Sequence, residues 1–528
     1  MFNTQLQLKR EQFVIQIRKQ AREEIFSRKR HTDLNSDLNG VLKCQPDELI
    51  LQIYKSFMLK DFLTLKNLLY KYNEQFLIII VRKQQADEVS MNQYINHFSI
   101  NQETTQLFMQ IMRMSDVSQE SNIEEIRMLC INQVLVILVN ITYVDAPQII
   151  NNLLNHDLQD ILLNDILGRM NTKQKLAINY DVWQSIIDSL CQLFINLLLD
   201  MKDQRGVQMK IEIMKSPFFK IWQYIYKEFP PQQLWSSMLF LQQMLFLKPA
   251  IPDTEIVSSN LQRILKQCGY VIKELSEQDQ LYETALLLIN YCSEYQLETT
   301  IVLTKHIWVK MILINKLPLL MYGLFINLTS MNYDEDSPIS DFSAEKHLMD
   351  IGLLNNMLFW LQSTPDEQLI IKIYKCLNNI LTFQYQHLAS VVIYHFLPFL
   401  DLYFEGSNHF SEEIVAEYLI LLKNLIKFQK LNEANLTQVL EEQNVMKQIR
   451  EILLQGCFKA CYILDLFDAF DILSIEFKYL VLDKIVKYQV IEILNMLLAK
   501  DQISDDFIDT VMEQIAKWES ETNELNYS

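Results

Sequence analysis

Apolar residues recur at helical spacing along almost the whole chain from residue 46 onward. Leu49, Ile53 and Phe57 are four residues apart, and Leu65, Leu68 and Leu69 repeat the pattern at three and four. This period places apolar side chains on one face of an α-helix. Breaks marked by Pro, Gly, Asn and Asp come at intervals typical of helical hairpins or triplets. The pattern therefore predicts an all-α fold.

An Asn returns repeatedly inside these apolar helices, in segments that resemble one another. The segments are L-V-N-I (Asn140), F-I-N-L (Asn196), L-I-N-Y (Asn290), F-I-N-L (Asn327), L-N-N-I (Asn379) and L-K-N-L (Asn424), and Gln243 takes the place of a further member. Their spacing is close to the roughly 40–47 residues of armadillo and HEAT repeats. An amide inside an apolar helix is costly unless it is hydrogen-bonded, so its return predicts a ladder along a concave groove. Chance recurrence in an Asn-rich chain is the alternative.

These observations predict a right-handed armadillo- or HEAT-like α-solenoid over residues 47–517, with about 8–10 repeats. The chain has 528 residues, too many for one ordinary core, and half of them are hydrophobic. It contains only 8 Gly and 11 Pro, which disfavours sheet-rich folds with many tight turns.

Catalytic and membrane signals are missing from the sequence. We find no Gly-rich phosphate loop, no H-E-x-x-H and no G-x-S-x-G, and therefore expect no enzyme, no cofactor and no metal site. The eight Cys are scattered, as expected for buried thiols in a reducing compartment. No apolar leader and no run near the roughly 18–20 residues of a membrane span is evident, so we expect a soluble intracellular protein without membrane insertion.

Charge divides the chain into a short basic arm and an acidic body. Residues 1–30 hold eight Lys or Arg against three Glu, which is 8 − 3 = +5. The whole chain carries −18, so residues 31–528 carry −18 − 5 = −23. A body of this charge repels phosphate, so we expect no nucleic-acid binding.

The arm has the pattern of an amphipathic helix. Phe13, Ile17, Ala21 and Ile25 form one apolar stripe, and the other faces are charged. Such a helix can pack on its own body, lie on an anionic membrane, or stay unfolded until an acidic partner holds it. The pattern alone leaves these alternatives open.

Residues 15–30, IQIRKQAREEIFSRKR, resemble the importin-β-binding segment of importin α, the nuclear import adaptor. The core of that segment is matched by Arg18, Lys19, Arg22, Glu23 and Glu24. The resemblance implies that residues 1–32 bind importin β. Residues 33–46 follow as a flexible linker, because this segment is polar and carries Gly40. The implied contact residues are Lys9, Arg10, Arg18, Lys19, Arg22, Arg28, Lys29 and Arg30.

The resemblance extends to the body, because importin α is an armadillo solenoid whose Asn side chains bind the main chain of nuclear localisation signals. It implies a groove for basic signal peptides of cargo, and an export receptor at the C-terminal repeats and the acidic tail, residues 518–528. The implied groove residues are Asn140, Asn196, Gln243, Asn290, Asn327, Asn379 and Asn424. The family carries a Trp four residues before each Asn, whereas the six Trp here lie elsewhere and are expected in the core or in packing at helix ends.

We therefore expect a nuclear import adaptor that shuttles between cytoplasm and nucleus, binding cargo signals in an acidic groove and importin β through the arm. The alternative is an armadillo or HEAT scaffold outside transport, whose basic arm folds back and regulates access to the groove.

Overall fold

The described part of the chain is helical throughout. A computed structural model describes residues 46–83, 102–114, 121–143, 157–172, 180–201, 204–225, 235–246, 255–274, 280–295, 297–330, 343–363, 366–382, 388–399, 411–428, 437–442, 445–455, 460–499, 503 and 505–527. Every regular element in these ranges is a helix, which confirms the all-α prediction. The chain divides into two compact units, Met1–Pro252 and Asp253–Ser528.

The described helices of unit 1 begin at Pro46. They are α1 (Pro46–Met58), α2 (Phe62–Lys83), α3 (Gln102–Met112), α4 (Ser121–Tyr143), α5 (Leu158–Asp160), a π-helical turn (Ile161–Ile166), α6 (Leu167–Thr172), α7 (Tyr180–Asp200), α8 (Gln204–Lys215), α9 (Phe218–Ile225) and α10 (Trp235–Phe246).

The described helices of unit 2 range from 4 to 28 residues, and three short segments depart from α-geometry. They are α11 (Glu255–Glu274), α12 (Gln280–Tyr295), α13 (Leu297–Thr304), a 3₁₀ turn (Lys305–Ile307), α14 (Trp308–Ile314), α15 (Pro318–Thr329), α16 (Ala344–Asp350), α17 (Leu353–Ser363), α18 (Glu367–Leu381), α19 (Leu388–Val391) with a π-helical turn (Val392–Phe396), α20 (Glu412–Phe428), a π-helical turn (Gln438–Glu442), α21 (Val445–Gln455), α22 (Ala460–Lys487), α23 (Val490–Ala499) and α24 (Asp505–Tyr527).

Helices that are not consecutive in sequence pack side by side in each unit. In unit 1, α2 packs on α4, α4 on α7, and α7 on α10. In unit 2, α12 packs on α15, α15 on α18, α18 on α20, and α20 on α22. Each of these two series is a row of packed helices. The helices that lie between two neighbours of a row in sequence connect the end of one to the start of the next. The apolar Asn-containing segments of the sequence all lie on these side-by-side helices.

Helix α18 shows how the sequence determines the start and the buried face of one of these side-by-side helices. The side chain of Asp366 accepts hydrogen bonds from the backbone N–H groups of Gln368 and Leu369, which caps the first turn. Leu369, Ile373 and Leu377 repeat every four residues and are buried against α15 and α20. The opposite face keeps its polar side chains, and Lys375 is exposed there.

The predicted boundary of the acidic tail lies inside helix α24. Trp518, the first residue of the predicted tail, is fully buried, and its ring meets Phe467 at 5.3 Å and Phe470 at 5.8 Å in edge-to-face contacts. The acidic residues around it suggested a solvated tail, but α24 is amphipathic and docks its apolar stripe on α22. Trp222, Trp308 and Trp183 are also buried, as expected for core tryptophans.

Two helices are long and apolar enough to cross a membrane by length and composition, contrary to the expectation from the sequence. They span Asn122–Thr142 in α4 and Asp181–Leu199 in α7. Most of each span is buried within the protein, and the two helices pack on each other. Between them, Asn132 donates a hydrogen bond to Ser185, and Ser189 donates one to Asn132. Both helices therefore have the character of core helices in unit 1.

The fully buried carboxyl of Glu345 gives unit 2 a pH-dependent stability. Ser343 donates a hydrogen bond to Oε2 of Glu345, while Oε1 has no hydrogen-bond partner among the described residues. Burial raises the pKa of this carboxyl above 4.5. The folded state therefore holds the proton more tightly than the unfolded state, and the contribution of this group to stability is lost as the pH rises through the folded pKa.

We expect Glu345→Gln to raise the free energy of unfolding at pH 7 by about 1 kcal/mol, because it removes a buried charge with an unsatisfied oxygen. The gain should disappear below pH 4.5, where the native carboxyl is protonated in both states. Urea denaturation across this pH range measures both effects. Glu513→Gln, at an exposed position of α24, is the control. A variant less stable than the native chain at pH 7 would contradict the argument.

Candidate functional site

The predicted Asn residues connect neighbouring helices in unit 1. Nδ2 of Asn140 on α4 donates to Oδ1 of Asn73 on α2 at 2.7 Å. Nδ2 of Asn196 on α7 donates to the backbone carbonyl of Val139 at 3.1 Å and to Oγ1 of Thr142 at 3.0 Å, both on α4. Each amide thus reaches back to the preceding helix of the row.

The same arrangement recurs in unit 2. Asn327 on α15 donates to Oδ1 of Asn290 at 3.1 Å and to Oγ of Ser293 at 2.8 Å, both on α12. Asn379 on α18 donates to the carbonyl of Ile326 and to Oγ1 of Thr329 on α15, each at 3.2 Å.

Asn424 on α20 completes the series by donating to the carbonyl of Asn378 on α18 at 3.2 Å. We call the six predicted Asn residues the ladder asparagines, and the surface on which they lie in each unit the ladder face. They are Asn140 and Asn196 in unit 1, and Asn290, Asn327, Asn379 and Asn424 in unit 2.

The hydrogen bonds between helices determine which amide atoms of the ladder asparagines remain available on the ladder face. A backbone carbonyl can only accept, so the bonds to Val139, Ile326 and Asn378 fix which side-chain atom is the NH₂ group. Five ladder asparagines donate to the previous helix. Both side-chain N–H groups are used by Asn196, Asn327 and Asn379, and one of the two by Asn140 and Asn424. Among the described residues, the Oδ1 atoms of Asn196, Asn327, Asn379 and Asn424 have no hydrogen-bond partner. The ladder face thus offers half-buried acceptors at regular intervals.

Gln243 departs from this pattern. It lies on α10, but its side chain is only 5% exposed and makes no ladder bond to α7. The sequence placed it by spacing alone, and spacing does not determine the rotation of a helix about its axis. The positions four residues before the ladder asparagines carry no aromatic side chain: they are Val136, Gln192, Leu286, Gly323, Lys375 and Ile420.

Two carboxylates flank Asn290 on the same face of α12. Glu283 precedes Asn290 by seven residues and Glu294 follows it by four, so all three lie within one helical stripe. Desolvation raises the pKa of both carboxyls, although Glu294 remains exposed. Neither is paired with a cation among the described residues. The ladder face therefore carries two acidic side chains beside Asn290.

The ladder face is basic beside Asn379. Lys372 and Lys375 lie on α18, seven and four residues before that Asn. Lys372 is half-buried, and desolvation and then the charge of Lys375 lower its pKa. Lys375 Nζ lies 3.8 Å from Oε1 of Glu417 on α20. The net charge of the body predicted an acidic groove, but a sum over the chain does not determine where each charge lies.

Glu417 also belongs to a buried contact between α18 and α20. Nδ2 of Asn378 donates to Oε2 of Glu417 at 2.9 Å and to its backbone carbonyl at 3.1 Å. Burial raises the pKa of the Glu417 carboxyl, while the bond from Asn378 and the charge of Lys375 oppose the shift. This contact holds α18 and α20 together beneath Asn379 and Asn424. The sequence segment L-N-N-I contained both Asn residues but did not reveal which one faces inward.

A second polar cluster in unit 2 was not predicted. Asn356 on α17 donates to the carbonyl of Ile312 at 3.2 Å and to Oδ1 of Asn315 at 2.7 Å, and it accepts from the hydroxyl of Tyr322 at 2.7 Å. The indole N–H of Trp360 also donates to Asn315. Asn315 has φ 55°, a left-handed conformation that Asn tolerates and that ends α14. These bonds connect α17 to the turn between α14 and α15.

The predicted importin-β contacts, Lys9 to Arg30, and the linker up to residue 45 lie outside the described residues. In the described part of the chain, no group of three or more His, Cys, Asp or Glu could hold a metal ion. Five Cys are buried thiols there: Cys130, Cys191, Cys268, Cys292 and Cys376.

Comparison with known proteins adds no family to this description. No protein-family model matches the sequence, and no curated protein matches it significantly.

Proposed function

We propose that this protein is a nuclear import adaptor of the importin α type, in which each unit is a segment of an armadillo- or HEAT-like solenoid. The ladder face holds an extended cargo peptide, and the N-terminal basic arm recruits importin β. The adaptor shuttles between cytoplasm and nucleus.

The observation that supports this proposal most directly is the ladder. Packed helices are roughly 8–10 Å apart, and an extended peptide advances about 3.3 Å per residue. Every third residue of such a peptide can therefore bring its backbone N–H to one ladder asparagine. The Oδ1 acceptors of Asn327, Asn379 and Asn424 suit that donor. The first two side chains already use both N–H groups within the protein, and the third uses one of its two.

Charge supports a basic cargo at one end of the ladder face. Glu283 and Glu294 lie on either side of Asn290 and lack cationic partners among the described residues. A Lys or Arg of the cargo would pair with them and relieve the desolvated carboxylates.

A second function, a peptide-binding scaffold outside transport, is favoured by Lys372 and Lys375. Two ammonium groups beside Asn379 repel a lysine-rich signal. In this alternative the arm regulates access to the ladder face and does not recruit a carrier.

Importin β capture by the full-length chain tests the transport function. We expect Arg18→Glu, Arg22→Glu and Arg28→Glu together to lower the affinity for importin β at least about tenfold, because each change replaces an ion pair with a like-charge contact. The native affinity should also fall as salt is raised. A pull-down or surface-binding measurement gives both values.

The matched control reverses three exposed cations of unit 1: Lys55→Glu, Lys71→Glu and Lys220→Glu. This control changes the net charge by the same amount as the arm variant and should leave the capture of importin β unchanged. Equal capture by the arm variant and the native chain would contradict the adaptor function and favour the scaffold.

A further inference from the structure

Helix α1 exposes apolar side chains on the side opposite its buried face. Leu49 and Ile53 are buried within unit 1. Three apolar residues on the other side follow helical spacing, and a fourth lies in the turn after the helix. All four side chains are between 46% and 79% exposed. We call them the α1 stripe: Leu51, Tyr54, Met58 and Leu59.

The α1 stripe is large for the surface of a single helix. Its four side chains expose on the order of 500 Å², comparable to the largest apolar patch of a typical monomer, and such patches mark interaction sites. Two copies that cover each other's stripe would bury about 1,000 Å² in total, which is the size of a weak and reversible interface. The stripe is therefore large enough to bind one helix of a partner.

The charged residues of α1 make this helix complementary to a second copy of itself. Glu48 lies in the first turn of α1 and Lys55 in the last. The two are seven residues apart, beyond the three- or four-residue spacing of ion pairs within a helix. When two copies of α1 pack antiparallel about a two-fold axis near residue 52, Glu48 of each copy lies on the same flank as Lys55 of the other. A parallel pairing would bring like charges and parallel helix dipoles together.

The basic arm of the same chain is a less favourable occupant of the stripe. Residues 46–83, which form α1, α2 and the turn between them, contain six Lys or Arg against four Asp or Glu, which is 6 − 4 = +2. The arm carries +5, so the two segments have charges of the same sign and repel each other. A second copy instead offers a stripe of equal size with opposite charges at matching positions.

We propose that two copies of this chain form a dimer by packing their α1 stripes against each other in antiparallel orientation. Tyr54 of each copy lies near the two-fold axis, and Leu51 and Met58 extend the apolar contact. Two ion pairs between Glu48 and Lys55, related by the axis, flank this contact. The inference is independent of the proposed function, because importin β capture depends on the arm and dimer formation depends on α1.

Sedimentation velocity of the full-length chain between about 1 and 100 µM tests the dimer. We expect the average mass to rise with concentration from 62.6 kDa toward twice that value. Leu51→Asp with Tyr54→Asp should weaken the dimer at least about tenfold, because each copy then places two carboxylates in an apolar contact. Both positions are exposed, so the variant is expected to fold. A native chain that keeps the mass of one copy at every concentration would overturn the proposal.

The matched control is Val302→Asp with Leu313→Asp. It places the same two charges at exposed apolar positions of unit 2 and should leave the dimer unchanged. Equal weakening by this control and by the α1 variant would show that net charge governs the association, and would overturn the α1 stripe as the interface.

The orientation of the two helices is tested by reversing charges. Glu48→Lys and Lys55→Glu should each weaken the dimer by about three- to tenfold, because each change replaces two attractive pairs with two repulsive ones. The double variant has opposite charges at both positions again and should regain most of the native affinity. A double variant no tighter than either single variant would overturn the antiparallel arrangement.

Variants of the arm distinguish a second copy from the arm as the occupant of the stripe. We expect Phe13→Asp with Ile17→Asp to dimerise with the affinity of the native chain, since α1 is unchanged. If the arm of the same chain covered the stripe, the native chain would stay monomeric and this variant would form dimers. That result would overturn the second copy as the occupant.

Discussion

Replacing Trp518 with alanine is expected to lower the free energy of unfolding by about 3–5 kcal/mol. The indole is fully buried between α22 and α24, where it contacts the rings of Phe467 and Phe470. Its removal leaves a large cavity in the contact that holds the last helix. Urea denaturation of the full-length chain, followed by circular dichroism, measures the loss.

Two controls separate this packing effect from other changes in α24. Trp518→Phe keeps an aromatic ring and removes an indole N–H that no described residue accepts, so it should cost clearly less than alanine. Lys517→Ala breaks a surface ion pair with Asp471, at 2.8 Å, and should cost less than about 1 kcal/mol. If Trp518→Ala cost no more than Lys517→Ala, residues 518–528 would be the loose tail that the charge pattern suggested.

Replacing Asn378 with aspartate should lower the free energy of unfolding by about 3–5 kcal/mol at pH 7, close to the cost of leaving a buried charge uncompensated. The amide donates to both Oε2 and the backbone carbonyl of Glu417, so the change places a carboxylate against two acceptors. Burial already raises the pKa of Glu417. The cost should shrink as the pH falls, because protonation of either carboxyl removes the repulsion.

The double variant Asn378→Asp with Glu417→Gln tests the cause of that loss. It exchanges donor and acceptor between the two side chains and should recover part of the stability, which a double-mutant cycle measures. Asn67→Asp, on an exposed face of α2, should change stability by less than about 0.5 kcal/mol. Failure of the double variant to recover any stability would show that the loss does not arise from charge repulsion.

The ladder connects these stability effects to the proposed function. Asn378 faces inward and joins α18 to α20, whereas Asn379, the next residue, lies half-buried on the ladder face. Changes at the first position alter how the helices pack, and changes at the second alter the acceptors available to a peptide. The two neighbouring amides therefore have separable roles.

The sequence by itself determined the helical character of the chain and the positions of the ladder asparagines. Both follow from local regularities. Apolar residues every three or four positions require a helix to bury them on one face, and sparse Gly and Pro leave few breaks. An Asn that recurs in similar apolar surroundings needs a hydrogen-bond partner to offset the cost of burying its amide. In the structure these partners lie on the preceding helix of the row.

Only the tertiary structure decided what those partners are and what remains on the surface. The ladder bonds join residues 34 to 67 positions apart, and no local pattern identifies such pairs. Gly323 on α15 lies close to Asn290 and Lys372 because α12 and α18 both pack on α15. Burial of Trp518 and Gln243 likewise depends on the rotation of each helix against its neighbours. Periodicity defines a face of a helix, but contact between distant segments determines the chemistry of that face.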